Sequence, residues 1–146
     1  MKSISRRFVA LLLVIATVCC MIIPVAAAEG DNGVAPAASA YISGVWAEAV
    51  GSSGTVKVNF SISATGTMTS LGATCIEIWN SGGTVSKSFY PYTTGGMTGY
   101  NRSSYASSVT WYNATPGSKY YAVVYYQATN SSGHDTAVYT TAYTYA

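Results

Sequence analysis

Few residues in this chain could carry catalysis, and each grouping is thin. A nucleophilic triad needs an imidazole, and His134 is the only histidine. Asp31 or Asp135 could orient it and many serines could serve as nucleophile, but no nucleophile-elbow sequence frames one. His134 also adjoins Asp135 in the polar run Asn130–Asp135, read as a hairpin loop, where triad geometry is not expected. Glycoside hydrolysis needs two carboxylates about 5 to 10 Å apart across the sugar. Glu48 and Glu77 could supply them, yet isolated acids on the wet faces of strands ordinarily serve solubility. One histidine and scattered acids give no zinc spacing, and no Asp-rich loop suggests calcium. Met68 and Met97 fall in Gly/Thr-rich turns without a cofactor signal. The expectation is no catalytic residue, no metal and no cofactor.

The aromatic residues are the informative excess, with 13 tyrosines and 3 tryptophans in a chain only 8% charged. Tyr120, Tyr126, Phe60 and Trp111 are expected in the core, because a small β-domain needs large side chains to fill it. By strand parity Trp79, Tyr121 and Tyr125 point to the opposite face, as an aromatic platform on adjacent strands. Such rows stack against sugars, and Tyr and Trp also anchor protein contacts at low entropic cost. Simple β-propensity would equally enrich tyrosine.

These residues must be positioned by strands. Val56, Val58, Phe60 and Ile62 alternate with Lys57, Asn59 and Ser61, which marks residues 55–63 as a half-buried strand. Residues 41–50 form a weaker strand. In 73–80, Thr74, Ile76 and Ile78 share one face and Cys75, Glu77 and Trp79 the other. Asn80-Ser81-Gly82-Gly83 is a turn leading into a strand over 84–92, so the two form a hairpin. Residues 93–104 read as a long loop and 105–112 as a strand. Pro116-Gly117 turns the chain into 119–128, where Tyr120, Ala122, Val124 and Tyr126 alternate with Tyr121, Val123, Tyr125 and Gln127. The last strand is expected over 137–145. No segment has the periodicity of an amphipathic helix. About seven short strands, with turn signals roughly every 8 to 12 residues, predict an all-β antiparallel β-sandwich.

The N-terminus predicts the compartment. Lys2, Arg6 and Arg7 precede an apolar run from Phe8 to Ile23, then Pro24 and the small residues Ala26-Ala27-Ala28. This is the pattern of a secretory signal peptide over 1–28, cleaved after Ala28 or, as second choice, after Ala27. An uncleaved anchor is the alternative, since the run approaches the roughly 20 residues that span a bilayer. No small residue stands immediately before Cys19 or Cys20 to make a lipoprotein signal. Residues 29–40, EGDNGVAPAASA, read as a flexible tether. Cys19 and Cys20 leave with the leader, and Cys75 alone cannot form an intramolecular disulfide. From Glu29 onward four cations face five acids, a net charge of −1. A nucleic-acid surface is excluded, because phosphate binding needs clustered Lys and Arg. Four Asn-x-Ser/Thr triplets, at Asn59, Asn101, Asn113 and Asn130, are read as ordinary polar surface.

Pro116-Gly117-Ser118-Lys119-Tyr120, followed by alternating Ala122, Val124 and Tyr126, resembles the turn and penultimate strand of fibronectin type III and related immunoglobulin-like domains. The resemblance covers about 30 residues, with Ala114 where that family has leucine and no tryptophan on the second strand. It implies an immunoglobulin-like sandwich in which Tyr120 is the structural tyrosine corner. The whole chain also resembles small signal-bearing proteins of unknown function from Gram-positive, clostridia-type bacteria. Together these observations lead to the expectation of a secreted, non-enzymatic domain binding an extracellular polysaccharide or protein. A small hydrolase using Glu48, Glu77 or Asp135 is one alternative. A structural or self-assembling surface protein, pairing Tyr-rich strands edge to edge, is another. A membrane is expected to be met only through the leader before cleavage.

Overall fold

The computed structural model describes residues 39–146. The expected signal peptide, and the tether up to residue 38, lie outside the described residues. Seven strands follow in order: β1 Ile42–Ser52, β2 Thr55–Asn80, β3 Val85–Phe89, β4 Thr98–Trp111, β5 Lys119–Asn130, β6 Gly133–Thr140 and β7 Thr144–Tyr145. Every pairing is antiparallel, and the strands form one curled sheet. Among the described residues there is no helix.

The expected number of strands is found, but by cancellation. The runs 55–63 and 73–80 are two ends of β2, a single strand of 26 residues. The stretch between them, Ala64 to Thr69, contains no Pro, Asn or Asp to make a turn, and its threonines favour extended backbone. β2 bends there instead, with its pairing to β4 interrupted between Ser63 and Met68. Its first half is flanked by β1 and β4; its second half by β5 on one side and by β3 and β4 on the other. In compensation, the expected final strand is broken into β6 and β7. The Thr141 N–H donates to the Ala122 carbonyl at 2.9 Å, and the Thr141 hydroxyl accepts from the Ala122 N–H at 2.9 Å.

Three other expectations are corrected. The loop over 93–104 ends early, since β4 begins at Thr98. Its Gly and Asn residues are the strand's means of bending: Gly99 lies beneath the Tyr105 ring and the Arg102 chain, and Asn101 takes a φ of 51°. The loop over 130–135 is a tight turn, in which Asn130 Oδ1 accepts from the Ser132 and Gly133 N–H groups at 2.8 and 3.1 Å. His134 and Asp135 therefore belong to β6. Met68 lies within β2, and it and Met97 are both buried. The hairpin between residues 73–80 and 84–92 is present, although β3 stops at Phe89.

The core gathers Val56, Val58, Phe60 and Ile62 from one half of β2 and Leu71, Ala73, Ile76 and Ile78 from the other. From β5 it takes Tyr120, Ala122, Val124, Tyr126 and Ala128. Trp111 is half-buried and meets Tyr120 edge-on at 5.4 Å. The sheet curls until β1 reaches β5 and β7: the Tyr126 hydroxyl donates to the Trp46 carbonyl at 2.6 Å, and the Gly51 N–H to Thr144 Oγ1 at 2.8 Å. Tyr126 thus fills the core with its ring and satisfies its phenol on the far strand. The buried Tyr120 hydroxyl accepts from the Thr115 N–H at 3.2 Å, tying the turn to the start of β5.

Candidate binding face

Antiparallel pairing places opposed residues on the same side of a sheet, so the register of β3, β2, β5 and β6 defines the outer face row by row. The first row is Val85, Trp79 and Tyr121. The second is Ser88, Glu77, Val123 and Thr140. The third is Cys75, Tyr125 and Val138. A bulge sets this alignment. Ala73 opposes Tyr126 and Cys75 opposes Tyr125, leaving Thr74 as the extra residue. Thr74 is exposed, contrary to the expectation that it shares the Ile76 face, and its hydroxyl donates to the Tyr125 carbonyl at 3.2 Å.

Trp79, Tyr121 and Tyr125 are therefore brought onto one face, with Glu77 between them. The Trp79 and Tyr121 rings are stacked, their centroids 6.2 Å apart and their planes 17° from parallel. Tyr143, in the break between β6 and β7, meets Tyr121 edge-on at 5.1 Å, and Lys119 Nζ lies 4.4 Å from the Tyr143 centroid. On the other side of Trp79, its Nε1–H donates to Glu77 Oε2 at 3.1 Å, and the Tyr125 hydroxyl donates to the same oxygen at 3.3 Å. Oε1 receives a hydrogen bond from no described residue. Past Tyr125, Tyr90 adjoins Cys75, and Tyr92, 82% exposed, stacks on Tyr90 at 5.3 Å.

Glu77 is the only carboxylate in these rows, and its neighbours stay neutral. Burial pushes the Tyr121 phenol up, helped by Tyr143 and Glu77; burial likewise raises Tyr125, with Glu77 the next cause. Both remain hydroxyl donors at physiological pH. The Cys75 thiol is also raised, chiefly by burial and then by Glu77, with a Tyr90 hydrogen bond acting the other way. A protonated thiol is a poor nucleophile, so Cys75 contributes packing here.

The other sequence candidates do not join this face. His134 opposes Thr129 on β6 and is exposed. Asp135 is engaged elsewhere: Oδ2 accepts from the Ser39 hydroxyl at 2.5 Å and the Tyr41 N–H at 2.7 Å, while the Ser39 hydroxyl accepts from the Ile42 N–H. The Ser39 bond first, then the Tyr41 bond, holds the Asp135 carboxyl below its ordinary value. Ser39, placed at the end of the expected tether, is thus fastened to β6. Glu48 is exposed on β1 opposite Asn59, with neither of the other acids as a partner. Among the described residues, no group of three or more His, Cys, Asp or Glu is placed to hold a metal ion.

Glu77 as the centre of the face, and Tyr143, Tyr90 and Tyr92 as its extensions, were not singled out by the sequence analysis as binding residues. Glu77 was legible, because parity places it with Trp79. Tyr143 and Tyr90 depend on a strand break and a turn that periodicity does not encode.

Fold and face together define an all-β antiparallel protein with an aromatic outer surface centred on one carboxylate. No protein-family model, curated protein or solved structure matches the chain.

Proposed function

We propose that the protein is exported and acts outside the cell as a non-enzymatic β-sandwich that binds a polysaccharide on the face formed by Trp79, Tyr121 and Tyr125. The observation that carries this is Glu77, held by Trp79 and Tyr125 in the middle of the aromatic rows with one oxygen left to accept. Aromatic rings cover the apolar C–H faces of sugars, and a fixed carboxylate accepts from their hydroxyls. Export is supported by the leader pattern of residues 1–28. A binding rather than catalytic role is supported by the different neighbours of Glu48, Glu77 and Asp135.

The sandwich arrangement, immunoglobulin-like in kind, is supported by how β2 divides its partners. In such an arrangement β1, the first half of β2 and the second half of β4 would make one layer, and β3, the second half of β2, the first half of β4, β5, β6 and β7 the other, with the Tyr126 and Phe60 rings, 6.4 Å apart, packed between them. The Tyr120 bond to Thr115 fits the tyrosine-corner role.

Retention of the purified protein on insoluble and gel-embedded polysaccharides tests the function. Trp79→Ala should weaken retention more than about tenfold. Trp46→Ala, on the exposed side of β1, should leave it unchanged. If no polysaccharide retains the protein, or both variants behave as the parent does, the function is wrong. A protein partner is the second reading, favoured by the aliphatic members of the rows, Val85, Val123 and Val138.

A further inference from the structure

Resting on that reading, we infer that the polysaccharide bound at this face carries amino groups, and that Glu77 selects it by accepting a bond from a protonated amine at Oε1. The three rows over β3, β2, β5 and β6 contain aromatic, aliphatic and hydroxyl side chains, one thiol and a single charge, which is negative. A neutral polymer offers the carboxylate only hydroxyl donors, which bond it more weakly than a protonated amine does. An acidic polymer would bring like charges together across a partly dry surface, which opposes binding.

The carboxylate is also pre-organised. Trp79 Nε1–H and the Tyr125 hydroxyl both bind Oε2, which fixes the plane of the group and leaves Oε1 to the ligand. A charge-assisted bond to such an oxygen is stronger than one between neutral groups, and fixing the acceptor beforehand lowers the entropy lost on binding. Lys119, which precedes Tyr121 on β5, is engaged elsewhere. Lys119 is drawn onto the Tyr143 ring, and Tyr143, Tyr121 and Trp79 stand between it and Glu77. Lys87 lies over Phe89 and opposes Ile78, on the side of β3 away from these rows.

Four polymers with one β-1,4-linked backbone isolate the group that matters: chitosan (amine), chitin (acetamide), cellulose (hydroxyl) and polyglucuronate (carboxylate). The protein should bind chitosan about tenfold more tightly than cellulose, and polyglucuronate least. Glu77→Gln should weaken chitosan binding about tenfold more than it weakens cellulose binding, so that the preference between the two polymers disappears. High salt should shrink the preference in the parent protein, which reads the same charge without a substitution. The urea midpoint of Glu77→Gln reports whether its fold is kept.

Equal binding of chitosan and cellulose, insensitive to Glu77→Gln and to salt, overturns the inference and leaves polysaccharide binding standing. Retention on none of the four polymers or any other polysaccharide overturns both. Glu77-dependent binding to poly-lysine that matches or exceeds binding to chitosan overturns the inference in favour of a cationic peptide.

Discussion

The two halves of β2 run through one core and present unlike outer faces. Around its first half, the outward rows are Trp46, Ser61 and Ala106; Glu48, Asn59 and Ser108; and Val50, Lys57 and Thr110. Around its second half they are Val85, Trp79 and Tyr121; Ser88, Glu77, Val123 and Thr140; and Cys75, Tyr125 and Val138. Apart from Trp46 and Val50, the first set is small or polar and of both charges, as a solvated sheet face is expected to be. The second is mostly large and apolar. If tyrosine were abundant here only because it suits strands, both faces would carry it. The second face joins two tyrosines to a tryptophan and three valines, where the first has Trp46 as its one aromatic ring, and binding supplies a reason for that difference.

The largest expected effect comes from disturbing the second half of β2 just after the bend. Gly72 lies where β2 is paired on both sides, opposite Thr98 and Gln127. A Cβ at Gly72 would run into the Met97 carbonyl and the Thr98 Cα, both backbone groups. Gly72→Ala should therefore cost about 3 kcal/mol in urea unfolding, as overpacking against atoms that cannot yield. Gly44→Ala, on β1 with nothing within 4 Å of the added carbon, should stay within about 0.5 kcal/mol. Equal effects would mean that the approach of β4 to β2 at Gly72 is not as close as described.

Next in size is the tie across the core. Tyr126→Phe removes a buried hydroxyl and leaves the Trp46 carbonyl on β1 without its donor. A loss of about 2 kcal/mol is expected, measured by the same unfolding curve. The Tyr126 phenol is itself pushed far up by burial, so it stays protonated and donating through the ordinary pH range.

The third effect concerns the clasp joining β1 to β6. The folded Asp135 carboxyl titrates below its unfolded value of about 3.9, so its contribution is fully present above that pH. It is lost as the pH falls through the lower folded value. Asp135→Asn should lower stability at neutral pH and flatten the acid limb of the stability–pH curve. An unchanged slope below about pH 4 would show that Ser39 and Tyr41 do not hold the carboxylate in solution.

How much of this was legible depended on whether a signal was local. The alternation of Tyr120 to Gln127 is strict over eight residues, so the inner and outer sets of β5 follow from parity alone. The face of Ile76 and Ile78 follows likewise, and with it the side on which Glu77 and Trp79 lie. Thr74 escaped because a bulge shifts parity by one residue, and the bulge is set by pairing with β5. The start of β4, ahead of the expected strand over 105–112, escaped because Gly99 and Asn101 are poor strand formers in isolation and tolerable where a strand must bend. The continuity of β2 escaped because Gly66 looks like punctuation, when the strand bends through it unpaired and regains β4 at Met68 and β5 at Ser70. The site was half legible: its three rings follow from periodicity, and its carboxylate follows once the shared face is taken seriously.

The smallest effect on stability should be the sharpest on function, because it separates neighbours. Tyr125 and Tyr126 adjoin in β5 and point to opposite sides, one to Glu77 and one to Trp46. Tyr125→Phe removes a half-exposed hydroxyl whose place water can take, so unfolding should shift by no more than about 0.5 kcal/mol. It also removes one of the two donors that fix Glu77, leaving the carboxylate to Trp79 alone. Polysaccharide retention should therefore fall severalfold with the ring still in place, since orienting the acceptor and stacking on the sugar are separate tasks. Trp79→Ala takes away both stacking and orientation and should cost more than Tyr125→Phe. If Tyr125→Phe binds as the parent does while Trp79→Ala does not, the rings alone carry the contact and the difference between the two faces of β2 is one of apolar area, without a role for the carboxylate.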